Sequence, residues 1–551
     1  METSPVFSKS NHHDVVKTTI PIKGGWKSAI FIIFVEIGER FAYYGVSGNL
    51  IIYLLRVLKQ PLATAAKNVN LWHGVSAIFP LVGGFMADSY FGRFKIIVFS
   101  SVTYLLGLVL LVISAEAIPL NHRLLPFFVA LYIINIGEGG HRPCIQTFAA
   151  DQFDEVDQAA KSSFFNWWYL GIVMGACSAI LVVVYIQDHN GWGWGYAIPT
   201  IVVAIALGVF LFGTSTYRKE VPVGSPFTKV AQVIVAAYKK RNMSLKNDCH
   251  GMHLDAGENG LTMLARTNQF RFLDKAAMID EIDISSEKTD NWRLCTVNQV
   301  EQVKLLFRLI PISLSCLGFT IVIAQLGTFY TKQATTLNRQ FGSTNFKFPP
   351  AYFQVIPGIT ILIAVPLYER LLIPTAKRFT GHPSGITMLQ RIGFGIFLSI
   401  LTMIVSALVE SKRVKVATHY GLIDKPEIVL PMSVWWLVPQ YVLMGISDVF
   451  TIVGLQELFY DQVPEEMRSM GAAANSSVVG IGSFMSTALI SLVEVVSAQH
   501  GDEWFKGDNL NRAHLDYFYW LLACLSGFSL VLYVGLAKGF VYKKLQINSE
   551  V

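Results

Sequence analysis

Apolar residues gather into runs long enough to cross a bilayer, which takes about 20 residues of helix. They fall at about 29–55, 70–87, 96–118, 124–148, 163–186 and 195–213, and again at 306–329, 351–369, 385–409, 431–459, 472–494 and 516–541. The pattern predicts an all-α membrane protein with twelve transmembrane helices in two six-helix bundles. It divides the chain into an N-terminal tail at 1–27, a first bundle at 28–213, a central loop at 214–304, a second bundle at 305–542 and a short tail at 543–551. Only 15% of the residues are charged, against roughly 25% in a soluble chain. The first apolar run is too long for the core of a cleaved signal peptide, so none is expected.

Lys and Arg test the orientation. With both termini inside they favour the inside by 27 to 13, but 13 of the 27 lie in the central loop. Short loops carry the orientation signal, and they are nearly balanced. The even number of spans is the firmer inference. The net charge of +6 therefore belongs to basic loops facing the lipid surface and is no sign of nucleic-acid binding. Within the central loop Phe227, Val230, Val233, Ile234, Ala237 and Tyr238 recur at helical spacing beside Lys229, Lys239, Lys240 and Arg241. This predicts an amphipathic helix, either lying on the membrane surface or bracing the two bundles. The six cysteines show no C-x-x-C spacing and read as small core residues.

The first run breaks its own pattern with Glu36, Glu39 and Arg40. A charge at bilayer depth costs roughly 2.5–3.5 kcal/mol on insertion scales. On a helix these three share one face, with Glu36 one turn before Arg40. Two carboxylates served by one guanidinium cannot both be settled as anions, which is the chemistry of a proton site. A purely structural ion cluster is the alternative. No nucleophile–base set, phosphate loop or metal-ligand spacing appears, so neither an enzyme nor a resident cofactor or metal is expected.

Longer motifs carry a resemblance. Glu36-x-x-Glu39-Arg40-Phe41-Ala42-Tyr43-Tyr44-Gly45 resembles the first-helix signature of the proton-dependent oligopeptide transporter family, and Gly83–Arg93 resembles its loop between helices two and three. The tracts Phe148–Asp154, Ser163–Tyr169, Trp292–Glu301 and Gln456–Pro464 are similar to the plant branch, the nitrate transporter/peptide transporter family. The resemblance covers nearly the whole chain. It implies the major facilitator superfamily fold and proton-coupled symport of a small solute, such as nitrate or a short peptide, by alternating access. A pH-independent facilitator or exporter of a metabolite or hormone, or a substrate sensor with little flux, remains open. The implied partners are protons, that small molecule and the lipid bilayer of the plasma or vacuolar membrane. Nothing in the pattern speaks to oligomeric state.

The resemblance also distributes roles. It gives proton coupling to Glu36, Glu39 and Arg40 and a cavity position to Glu457, with Asp448 a weaker candidate. Tyr43 and Tyr44, about a turn beyond the charged motif, Arg142, and Gln325, a polar group of helix seven, are further cavity candidates. The resemblance makes Asp88 and Arg93 a gate. Where family members often have lysine, this chain has Arg142. Arginine keeps its charge when buried, so a mechanism that discharges this position is replaced by a fixed cation, paired either with the first helix or with Glu138 one turn earlier. His141 is expected to point away from that site. Helix seven, Leu309–Phe329, has no Asp, Glu, His or Lys, and Val173-Met174-Gly175 stands where peptide carriers often have an Asn. Both departures lean away from a strict dipeptide carrier. The missing histidine equally fails to establish nitrate. One coupled proton supplies about 2.3 kcal/mol per 100 mV and roughly 1.4 kcal/mol per pH unit.

Overall fold

The computed structural model describes residues 24–153, 158–219, 226–243, 251–253, 264–285, 290–340, 347–380, 386–463, 468–500, 504–505, 507 and 509–543. Residues 1–23 of the N-terminal tail and most of the polar stretch 242–260 lie outside the described residues, as do Asp154 and Pro464 of the motifs above, and the last two tail residues, Trp26 and Lys27, already belong to α1.

The first bundle is built from α1 (Trp26–Ser47), its continuation α2 (Leu50–Arg56), α3 (Leu62–Met86), α4 (Arg93–Glu116), α5 (Leu124–Ala150), α6 (Gln158–His189) and α7 (Trp192–Phe212). After α8 (Pro226–Lys239) and the short α9 (Glu281–Ser285) comes the second bundle. It comprises α10 (Val297–Ser315), α11 (Leu317–Ile323), α12 (Phe329–Thr335), α13 (Val355–Leu367), α14 (Ile373–Thr380), α15 (Met388–His419), α16 (Val438–Gln462), α17 (Arg468–Gln499) and α18 (Leu515–Lys538). Two short parallel strands, Leu337–Asn338 and Leu430–Ser433, tie the α12 end to the segment before α16.

Among the described residues ten helical stretches are long and apolar enough to cross a membrane, and α10 with α11, bent by 54°, supplies an eleventh. The missing one is α1. Its three charges remove it from an apolarity count, yet its 22 residues span about 33 Å and pack against α6 and α7. The result is twelve spans in two bundles, the expected fold. The described chain starts against Thr216 at the end of α7 and finishes against Gln462 at the end of α16. Both ends and the central segment thus share one face, called here the near face.

Several helices outrun their apolar stretch for a physical reason. The helix α10 begins at Val297 rather than near 306, because Thr296 and Gln299 form a capping box and the buried Glu301 and Lys304 pair at 2.8 Å. The helix α15 begins with a second capping box, Thr387 with Gln390, and runs ten residues beyond the predicted 409. There Glu410 and Arg413 neutralise each other inside the protein. The predicted amphipathic helix forms as α8. Its apolar side, Val233, Ala236 and Ala237, packs on Leu273, Ala276, Cys295, Val300 and Val303. The central segment thus covers part of the predicted face, while Ile234 and Tyr238 of the same set stay exposed. Lys240 bonds Asp283 at 2.6 Å, and Arg293 joins Asp280 and Asp283.

The bundles meet where α3 crosses α17. A Cβ on Gly74 would sit 2.7 Å from the Phe484 ring, and one on Gly480 would sit 2.9 Å from the Gly74 carbonyl oxygen. Glycine at both positions is what lets the two backbones approach.

Candidate functional site

The charged cluster of α1 lies inside the first bundle. Glu36, Glu39 and Arg40 are each 4% exposed. Arg40 Nε donates to Glu36 Oε1 at 3.0 Å and stands 2.7 Å from Glu39 Oε2. The second contact is ionic in distance but lacks hydrogen-bond geometry, since Glu39 Oε2 has no hydrogen-bond partner among the described groups. Glu36 Oε2, Glu39 Oε1 and Arg40 Nη2 are likewise buried and unpartnered. Buried polar atoms are almost always paired, so four orphans in one cluster mark a place built for something besides stability. The helix α6 closes over it at Gly175, where a Cβ would meet the Ile37 carbonyl oxygen at 2.7 Å and Arg40 Cβ at 3.0 Å.

The helix α5 supplies the next layer, in an arrangement the sequence did not give. His141, expected to point away, is 3% exposed. It presents a ring nitrogen that lies, together with carboxylate oxygens of Glu36 and Glu39, in a group spanning no more than 4.8 Å. Its Nδ1 has no hydrogen-bond partner among the described groups. Arg142 instead pairs within its own helix, Nη1 to Glu138 Oε1 at 3.4 Å, and its side chain is 37% exposed. The fully buried Glu138 also accepts from Ser76 Oγ at 2.6 Å. Of the two pairings open to Arg142, the structure therefore shows the local one with Glu138. Two carboxylates and an imidazole at this spacing could ligate a metal. Arg40 already holds both carboxylates, however. A proton brings the Glu36–Glu39–Arg40 group to neutrality, whereas a divalent ion would leave a buried net charge of +1.

Tyr43 and Tyr44 separate cleanly. Tyr43 is buried, stacks on Trp72 with ring centroids 5.4 Å apart, and its hydroxyl meets His73 Nδ1 at 2.9 Å. Tyr44 is half-buried and packs beside Ile180, Val184, Ala351 and Val355, the last two from the second bundle. Tyr44 is thus the member of the pair that faces between the bundles.

In the second bundle Glu457 is half exposed and bonds Arg391 Nη1 at 2.8 Å. Arg391 also donates to the Val449 carbonyl and lies over the Tyr368 ring. Asp448, two to three turns earlier, has a buried Oδ1 with no hydrogen-bond partner among the described groups. Gln325, expected to line the cavity, is enclosed instead. It donates to Ile321 O at 2.8 Å and to Ser486 Oγ at 3.1 Å, and Ser486 also accepts from Asn70 of the first bundle. The remaining polar groups of helix seven turn back on their own backbone. Ser313, Ser315, Thr320 and Thr328 each donate to a carbonyl three or four residues earlier.

Asp88 and Arg93 come together at the near face, Nε to Oδ1 at 3.3 Å, and Arg93 Nη1 also bonds Asp151. Asp151 is a third member that the sequence reading passed over, although the Phe148–Asp154 tract contained it. Trp168 is buried in the core of the first bundle, while Trp435 and Trp436 are about half exposed. Among the described hydrogen bonds and ion pairs, those joining the two bundles lie away from the near face. They are Lys67–Glu494 at 2.6 Å, Asn70–Ser486, Thr487 to Lys67 O, Gln354 to Gly48 O, and Tyr352 to Leu181 O. Only the first is an ion pair.

Residues 94–505 match the model of the POT family, PTR2. Protein NRT1/PTR FAMILY 5.4 of Arabidopsis thaliana is 53% identical over 540 residues, covering 96% of this chain and 97% of the relative. Protein NRT1/PTR FAMILY 5.10 of the same plant is 47% identical over 544 residues, covering 95% and 94%. Among solved structures, an auto-inhibited POT family peptide transporter superposes with a TM-score of 0.72 at 20% identity, covering 95% of this chain and 98% of that one. A POT family transporter in complex with 5-aminolevulinic acid superposes with a TM-score of 0.65 at 16% identity, covering 94% and 99%.

Proposed function

We propose, from the premise that this chain belongs to the POT family in its plant NRT1/PTR branch, that it is a proton-coupled symporter of a small nitrogenous solute such as nitrate or a short peptide. The family is one of transporters, not enzymes, and the protein is an integral multi-pass membrane protein. The observation that carries the proton is the buried Glu36–Glu39–Arg40 cluster, with two carboxylates on one guanidinium nitrogen and unpartnered oxygens on both. A proton arriving there removes a buried net charge of −1. Arg142, with 37% of its side chain exposed, is a fixed cation that can draw an anionic group of the solute without losing its own proton. Helix seven contributes no charge, and its hydroxyls are spent on backbone carbonyls. Two relatives support the solute class: one solved transporter binds 5-aminolevulinic acid and another is a peptide transporter.

In this reading the Lys67–Glu494 pair closes the face opposite the chain termini, and the cycle must break it. The two side chains are about a quarter to a third exposed, so the pair is worth at most about 1 kcal/mol. Lys67→Glu sets two carboxylates against each other and shifts the population toward the state open on that face, about five-fold or more for 1 kcal/mol. Spin-label distances across that face should lengthen in the single variant and recover in Lys67→Glu/Glu494→Lys. Equal distances in both would remove the pair from the gate.

The direct test of function is substrate-induced current in oocytes at acidic and neutral external pH. The panel holds nitrate, dipeptides and small amines with a carboxylate, with surface expression checked. Acid-stimulated current with one of them is the expected result. Tracer flux indifferent to pH would leave a facilitator.

A further inference from the structure

Beyond the transport pathway, the second bundle carries a crevice at the near face that the mechanism does not use. It holds about 380 Å³ between the central segment, the second half of α10 and the end of α18. Its walls are mostly apolar, with Phe270, Ile312, Leu536 and Phe540 among them. They run on into side chains that face outward from the bundle, since Ile310 and Leu314 on α10 and Val531 and Val534 on α18 are exposed. In a membrane-spanning chain that outward surface meets lipid. Its depth follows from the elements around it, at the end of α18 that holds Lys538 and beside the central segment. That is the boundary between hydrocarbon and headgroups.

Two polar side chains stand in this apolar surround. Arg308 is almost fully buried, with Nη2 bonded to Thr267 Oγ1 and 3.6 Å from Glu301 Oε2, and its Nε has no hydrogen-bond partner among the described groups. Gln269 reaches across to the Gly539 carbonyl at 3.4 Å, while its Oε1 has no partner among the described groups. Arg308 also belongs to a connected ion cluster. Lys304 pairs with both Glu301 and Asp274, and Arg266 pairs with Asp274. Three bases meet two acids, so the cluster keeps one positive charge. Two glycines keep the crevice open. A Cβ on Gly535 would meet nothing within 4 Å, and one on Gly539 only the Leu536 carbonyl oxygen at 3.7 Å.

We propose that this crevice holds one anionic phospholipid, with its phosphate drawn to Arg308 and an acyl chain along Ile312, Leu536 and Phe540. A soluble anion would satisfy the surplus charge but leave the apolar walls empty. A neutral lipid would fill the walls but leave the charge. A basic side chain at the cytoplasmic or matrix side of a helix pair is a recurrent way of holding an anionic headgroup. Bound there, the lipid bridges the central segment and α18, so membrane composition would bear on how firmly the segment is held.

The test is native mass spectrometry of the full chain in detergent, with dioleoyl phosphatidic acid or dioleoyl phosphatidylcholine added at equal concentration. The wild type should retain a single phosphatidic acid in preference to phosphatidylcholine by about five-fold, the ratio one basic side chain gives at an anionic surface. Gly535→Leu fills the crevice without touching the ion cluster and should abolish that retention at unchanged thermal stability. Arg308→Gln should keep lipid but lose the preference. Retention in Gly535→Leu equal to wild type would overturn the site. Equal retention of the two lipids by the wild type would overturn the role of Arg308. Displacement by glycerol 3-phosphate at the lipid's own concentration would make it a phosphate site and sink the lipid.

Discussion

Glu39→Gln should reach the membrane, bind its solute and fail to accumulate it. The variant keeps the Glu36–Arg40 hydrogen bond at 3.0 Å, so the guanidinium is not left bare, and it keeps the shape of the side chain beside His141 of α5. What it loses is the second carboxylate, and with it the surplus negative charge on which the proposed proton site rests. The thermodynamic consequence can be sized. At 100 mV and one pH unit a single coupled proton is worth about 3.7 kcal/mol, or about 500-fold in accumulation at equilibrium. Acid-stimulated current should therefore vanish, while exchange of labelled for unlabelled solute, which needs no net proton movement, persists. Binding and exchange retained with accumulation lost separates coupling from folding. A variant that still accumulates solute in proportion to the pH gradient would reduce the carboxylates to a structural ion cluster, and the facilitator would then be the better description.

The rotation of α5 shows where sequence reasoning reaches its limit. Helical spacing gives the angles among Glu138, His141 and Arg142 but not which of them meets α1. That is set by close backbone contacts elsewhere on the helix. A Cβ on Gly137 would strike Tyr104 at 2.5 Å, one on Gly139 would strike Phe79 at 2.5 Å, and one on Gly140 would strike Ser100 at 2.0 Å. These glycines press α5 against α3 and α4, and the remaining arc carries Glu138 and His141 inward and leaves Arg142 partly exposed. The spans themselves were legible because burial in lipid leaves a long apolar run. Their polar ends were not, since Glu301 and Lys304, like Glu410 and Arg413, become buried only when each finds its partner in the folded chain. Gln325 failed for the same reason. A polar residue in an apolar helix suggests a cavity, and only the fold reveals Ser486 beside it.

Arg413→Met should be the most destabilising single change among the buried ion pairs. Arg413 and Glu410 are both 0% exposed, and their contact is a two-point fork, Nη2 to Oε1 at 2.6 Å and Nε to Oε2 at 2.8 Å. The other side of the guanidinium holds Asn511 Oδ1 at 2.6 Å and the Leu510 carbonyl at 2.9 Å. Glu410 in turn accepts from Gln333, which accepts from Gln440. One arginine therefore fastens α12, α15, α16 and the segment before α18 at the face opposite the termini. Methionine fills much of the volume and leaves Glu410 charged, buried and held only by an amide, which costs roughly 3–5 kcal/mol. Lysine cannot repair it, because a single ammonium does not reproduce the fork. Removing the charge as well should help. Arg413→Met/Glu410→Leu replaces an ion pair by apolar side chains, a change that is often neutral once both charges are gone. Thermal inactivation in detergent should order the proteins as wild type close to the double variant, with Arg413→Met well below both. If the double variant is no more stable than the single one, the penalty lies in the lost bonds to Asn511 and Leu510 rather than in the stranded carboxylate. The network would then be a clamp on the loop and not an electrostatic pair.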